Sequence, residues 1–158
     1  MGGALALVAA ERSPSDVLVA LWEPVLDTAA YLQELLRVNV STQTMMYKKV
    51  VRNRTKLMED IASGESVSIN GYDLAAPFVD GLLRLEAPAH LSKLRDRSLL
   101  VRSGSSKQEG NGIEERLIPE LPVFWKEPRR YHGSIPALVE ATVPWLRARM
   151  NPHPGGPL

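Results

Sequence analysis

Residues 15–25 read SDVLVALWEPV. From Val17 to Trp22 the run is apolar without interruption, and its valines carry the β-branched side chains that suit pleated backbone. Ser13, Pro14, Ser15 and Asp16 bound it on one side and Pro24 on the other. A half-buried strand alternates apolar with polar residues, whereas a short continuous run between turn signals is the pattern of a strand buried on both faces. The stretch therefore predicts a fully buried strand of a parallel sheet, and with it an α/β fold.

Upstream, MGGALALVAAER (1–12) predicts a helix of about three turns, ended before Pro14. Gly2 and Gly3 stand at its head, although glycine is a poor helix former. Downstream, from about 27 to 91, the texture is mostly helical. Ala30, Leu32, Leu35, Leu36 and Val40 keep amphipathic spacing, and RNRTKLMEDIASGE (52–65) is a second helical stretch stopped by Gly64. SVSINGYDL (66–74) alternates around an Asn-Gly turn and predicts a short hairpin. AAPFVDGLLRLEAPAHL (75–91) predicts one more short helix, ended near Pro88. Met45, Met46 and Met58 are read as core, while the segment's place between strands would also suit a lid or cap.

Strand texture returns in DRSLLVRSGS (96–105), at Leu99, Leu100 and Val101. SSKQEGNGIEE (105–115) is polar and glycine-rich and predicts an exposed loop. A further short strand is expected around Leu121–Trp125, then the loop PRRYHG (128–133). SIPALVEATVPWLRARM (134–150) closes the chain as a helix with Ser134 as cap and Pro136 in its first turn. Pro144 predicts a bend, or a break near Thr142. NPHPGGPL (151–158) is expected to be a disordered tail. The fold expected is thus one α/β domain over 1–150, with about three parallel strands flanked by helices and a mostly helical insert.

Composition narrows the functions. The 158 residues carry a formal net charge of +1, which makes no polyanion-binding field, and the basic cluster YKKVVRNRTK (47–56) is read as a solvated helix face. There is no cysteine, and His90, His132 and His153 show no metal-ligand spacing, so no metal or other cofactor is expected. No run approaches the roughly 18 apolar residues of a membrane span. Ala4 to Ala10 lacks the basic leader of a signal peptide and is followed by Glu11 and Arg12, which points to the cytoplasm.

The order helix, buried strand, helical insert, strand, loop, strand, His-bearing loop, helix resembles the C-terminal half of an α/β-hydrolase. In that fold the nucleophile sits in a strand-to-helix turn of pattern G-x-S-x-G, often continued S-M-G-G and a small-residue helix. Met1, Gly2, Gly3, Ala4 and Leu5 match the residues just after that serine, and the chain begins one residue too late to contain it. On this resemblance the glycines let the elbow helix approach the sheet closely, and Met1 is an internal residue of a longer ancestor or the start of a truncated gene. The other reading is a genuine start with two flexible glycines. LWEPV (21–25), YLQELLRVNV (31–40) and GESVSINGYDLAAPF (64–78) also resemble the hydrolases associated with exosortase systems, over most of residues 1–146. That likeness implies a serine hydrolase encoded near polysaccharide-export and protein-sorting genes.

The resemblance implies site residues. His132, in the loop before the last helix, stands where the base would be; it is otherwise an ordinary surface histidine. The acid would fall about three residues beyond Gly104, where this chain has Lys107, and Glu109 is the nearest carboxylate. Relatives with the acid after the earlier strand nominate Glu23 or Asp27. Each of the three also suits a solvated or capping role. No G-x-S-x-G occurs, and Ser103, Ser105 and Ser106 read as a polar turn. The expectation is hydrolysis of an ester, thioester or amide by a longer protein, with this chain inactive alone. A rival reading is a non-catalytic interaction domain that self-associates through an exposed sheet edge or through its helical insert. A nucleotide-binding half-domain lacks its glycine-rich phosphate loop.

Overall fold

A computed structural model describes residues 1–69, 71–104, 112–119 and 135–150. Its contacts divide the chain into two units, Met1–Pro24 with Pro88–Leu158, and Val25–Ala87.

In the first unit the stretch at 15–25 supplies β1 (Val19–Trp22), which pairs in parallel with β4 (Ser98–Ser103), which in turn pairs in parallel with β5 (Glu114–Ile118). Val19 lies opposite Ser98 and Trp22 opposite Val101; Leu99 lies opposite Glu114. β4 is central and buried from Ser98 to Val101, as its apolar run demands. β1 is shorter than the run that predicted it, and Trp22 at its end is exposed on one side.

Helices cover both faces of this sheet. α1 (Gly2–Arg12) buries Ala4, Leu7 and Ala10, a single stripe, and Gly3 lies over Leu21 and Pro24. α6 (Ile135–Met150) covers the other face, where Leu99 and Val101 pack with Leu138, Ala141 and Trp145. Trp22 shares that face, and its Nε1–H donates to Thr142 Oγ1 at 2.9 Å. α6 runs unbroken through Pro144. The break expected there does not form: Ala141 and Trp145, before and after the proline, are both packed into the core.

The two initial glycines differ. A Cβ on Gly3 would stand 3.2 Å from Pro24 Cβ and 3.4 Å from Leu21 Cδ2, whereas one on Gly2 would meet nothing within 4 Å. Gly3→Val is expected to cost about 1–3 kcal/mol in urea unfolding, because the added side chain would press on Pro24, whose Cβ and Cα would lie 3.2 and 3.6 Å from the new Cβ. Gly2→Val should stay within about 0.5 kcal/mol of the parent, which isolates close approach from helix propensity.

β5 corrects the sequence. Glu114 and Glu115 were expected in an exposed loop, yet they begin a half-buried strand. Their charges are met by groups distant in sequence: Glu114 Oε2 accepts from Arg149 at 2.9 Å and from Trp145 Nε1 at 3.0 Å, and Glu115 lies 3.4 Å from Arg102. The strand expected at Leu121–Trp125 and the tail at 151–158 lie outside the described residues.

The second unit is built on α2 (Thr28–Tyr47), packed with α3 (Arg54–Ala62), α4 (Ala76–Leu83) and the antiparallel hairpin of β2 (Val67–Ile69) and β3 (Tyr72–Leu74). Gly71 takes the positive φ of 83° that the Asn-Gly turn requires. The single helix expected over 75–91 is two: α4 closes at Arg84, and α5 (Ala87–Lys93) begins with Pro88 in its first turn. A proline there lacks only an N–H that has no partner within the helix, so it starts a helix as readily as it ends one. Met45 and Met46, expected in the core, are exposed.

Two buried polar groups organise the link from α2 to α3. Gln43 Oε1 accepts the N–H groups of Val51 and Arg52, both at 2.8 Å, while its Nε2 donates to Arg52 O at 2.9 Å and Asn39 Oδ1 at 2.6 Å. Asp60 is buried against Lys56 Nζ at 2.9 Å and Arg52 Nη1 at 3.1 Å. The hydrogen bond from Lys56 holds the Asp60 carboxyl below the usual aspartate range; burial opposes that shift and the bond from Arg52 adds to it. The same bond raises Lys56. A carboxyl depressed in the folded state stabilises above its unfolded pKa, and the contribution is lost as pH falls through the folded value. For the raised lysine the contribution is full below the ordinary lysine value and is lost as pH rises through the folded one. Asp60→Asn should therefore flatten the acid limb of the stability curve, read by urea unfolding between about pH 3 and 7. A limb as steep as the parent's would show that Asp60 does not govern it.

Candidate functional site

Because the three strands are parallel, their carboxyl ends lie together, and in open α/β sheets ligands bind beyond those ends. Three features meet there. The head of α1 sits against Pro24, just past β1, through the Gly3 contact. Ser103 and Gly104 end β4, with Gly104 N–H donating to Ile118 O at 3.3 Å. Glu23 follows β1 in left-handed backbone at φ 46°, a conformation uncommon outside glycine, asparagine and aspartate.

Glu23 ties two strand ends. Its N–H donates to Val101 O at 2.9 Å, extending the β1–β4 ladder, and its Oε1 accepts the backbone N–H of Ser103 in a short hydrogen bond. Glu23 is half-buried as a residue, and this bond gives its carboxylate a backbone partner across the sheet. A charged acceptor so placed can orient a neighbouring imidazole or bind a cationic group.

Asp27 is exposed and caps α2, its Oδ1 accepting Ala30 N–H at 2.8 Å. His132 and Glu109 lie outside the described residues. Among the described residues no group of three His, Asp or Glu side chains could hold a metal ion, and no helix is long and apolar enough to cross a membrane.

One polar cluster escaped the sequence. Glu11, near the end of α1, places Oε2 against His90 Nδ1 in a short contact and Oε1 2.7 Å from Lys93 Nζ. The bonds from Lys93 and then His90 hold the Glu11 carboxyl below its usual range. Both carboxylate oxygens are engaged, so the cluster binds α1 to α5. Nothing local announces it, since Glu11 and His90 are 79 residues apart.

Comparison of the chain with protein-family models, curated proteins and solved structures finds no match.

Proposed function

We propose that this chain is an α/β-hydrolase-type unit, related to enzymes that cleave esters, thioesters or amides, and that it has no turnover by itself. The observation that carries the proposal is Gly3, where an added Cβ would stand only 3.2 Å from Pro24 Cβ, at the point where a helix meets the carboxyl end of a parallel strand. That is where a nucleophile elbow hands over to its helix, and where the first free N–H groups of the helix face a developing oxyanion. The helical segment lying between β1 and β4 in the chain agrees with the same architecture.

His132 is the proposed base. Glu23, with its carboxylate already anchored by Ser103 N–H, suits the orienting acid better than Asp27, which caps α2; Glu109 is the third candidate. With no G-x-S-x-G in its 158 residues, the chain supplies no activated serine. Purified protein is expected to hydrolyse p-nitrophenyl esters at the background rate. Turnover abolished by His132→Ala would overturn the inactivity. An in-frame Gly-Xaa-Ser codon run directly upstream of Met1 would support the ancestry, and its absence would remove the argument from Gly3.

A non-catalytic interaction unit is the second reading, favoured by the exposed apolar residues that follow the middle of α2.

A further inference from the structure

Residues 45–51, MMYKKVV, close α2 and turn the chain toward α3. Met45 is 75% exposed, Met46 67% and Tyr47 58%, and Val50 and Val51 are each at least half exposed. Large apolar side chains gathered so closely in sequence are costly to leave in water and ordinarily mark a surface that something covers.

The turn that presents them is firmly held. Lys48 caps α2 in left-handed backbone at φ 56°, its N–H donating to Thr44 O at 3.0 Å. The buried Gln43 amide then clamps Val51 and Arg52 from below.

Along the sequence, the charge flanking the turn is of one sign. Between Glu34 and Glu59 the sequence holds six lysines and arginines and no carboxylate. Arg37 is paired with Glu34, and Arg52 and Lys56 with Asp60. Lys48 and Lys49 have no ion-pair partner among the described residues, and they lie between the exposed methionines and valines. Beside them a hollow of about 490 Å³ is lined by Val40, Val50, Asn53, Arg37 and Arg54.

From this juxtaposition we infer that residues 45–51 dock the protein onto the surface of an anionic lipid bilayer. Lys48 and Lys49 meet the lipid phosphates, and Met45, Met46, Val50 and Val51 enter the boundary between headgroups and acyl chains. Tyr47, amphipathic, belongs at that same level. A nucleic acid would use the cations, and a base can stack on Tyr47, but it would gain nothing from the four protruding aliphatic and thioether side chains. The inference is independent of the hydrolase proposal and uses none of its residues.

The test is co-sedimentation of the full chain with phosphatidylcholine vesicles, with and without about one-third phosphatidylserine. Binding is expected to the anionic vesicles alone and to weaken with salt. Lys48→Ser with Lys49→Ser should lower partitioning about tenfold or more, and Met45→Ser with Met46→Ser by a similar factor. All four positions are exposed, so melting temperatures should match the parent. Because the chain has no cysteine, Met46→Cys carrying a polarity-sensitive dye gives a second readout in a single-site variant, and its emission should shift to the blue on anionic vesicles. Absence of binding to anionic vesicles, equal binding to pure phosphatidylcholine, or indifference to the methionine pair would each overturn the inference. So would equally tight binding of a single-stranded oligonucleotide or polyglutamate that ignores the methionines, since such a site reads charge alone.

Discussion

Replacing Gln43 with leucine is expected to destabilise the Val25–Ala87 unit by about 2–4 kcal/mol. The side chain is 8% exposed, and its amide makes four hydrogen bonds. Leucine fills a similar volume, so the loss is almost wholly polar: the N–H groups of Val51 and Arg52, the carbonyl of Arg52 and the Asn39 side chain all lose a partner. Each unpaired buried group costs about 1–3 kcal/mol, and all four bonds are only partly buried, which keeps the total below the sum. Gln43→Glu separates donors from acceptors. It preserves both acceptor bonds and turns a carboxylate oxygen toward Arg52 O and Asn39 Oδ1, so it too should destabilise, most strongly at neutral pH where the group is ionised. Urea unfolding gives the energies, and amide exchange at Val51 and Arg52 gives the location. A leucine variant within about 0.5 kcal/mol of the parent would mean the clamp contributes little.

Trp145→Ala should cost about 3–5 kcal/mol, the range for emptying a large aromatic site in a packed core. The ring is 1% exposed among Leu99, Val101, Leu138 and Ala141, on the face of the sheet that α6 covers. It also has a polar connection: Nε1–H donates to Glu114 at 3.0 Å, and the Arg149 guanidinium lies 4.5 Å from the ring centroid. Trp145→Phe keeps most of the volume and drops the hydrogen bond, so about 1–2 kcal/mol is expected from it. The two variants, compared by denaturant titration, divide cavity from hydrogen bond. Equal losses would assign the site to the Glu114 bond and refute the packing account.

The elements legible in the sequence were those whose burial is local in pattern. The unbroken apolar runs of β1 and β4 announced a parallel sheet because a strand covered on both faces has no polar face to alternate. The helix ended by Pro14 and the Asn-Gly turn are equally self-contained. β5 was illegible for the opposite reason. Glu-Glu-Arg reads as solvated until Arg149 and Arg102 arrive from elsewhere in the chain to pair its carboxylates and Trp145 donates to Glu114. Pro88 and Pro144 misled because a proline's effect depends on where in a helix it falls and on what packs around it. Of the candidate site, Glu23 was visible only as a carboxylate after a strand. Its left-handed backbone and its bond to Ser103 N–H arise from the pairing of two distant strands. Residue type places Met45 and Met46 in the core, and the two lysines just beyond them point the other way.

The strand order β1-β4-β5 has a kinetic consequence. Val19 finds Ser98 only after the whole intervening chain has been gathered in, and closing so long a loop carries an entropic penalty that nearby partners such as Val67 and Leu74 escape. Refolding from denaturant should therefore order the hairpin of the intervening unit early and zip the parallel sheet late, with β1 waiting longest for its neighbour.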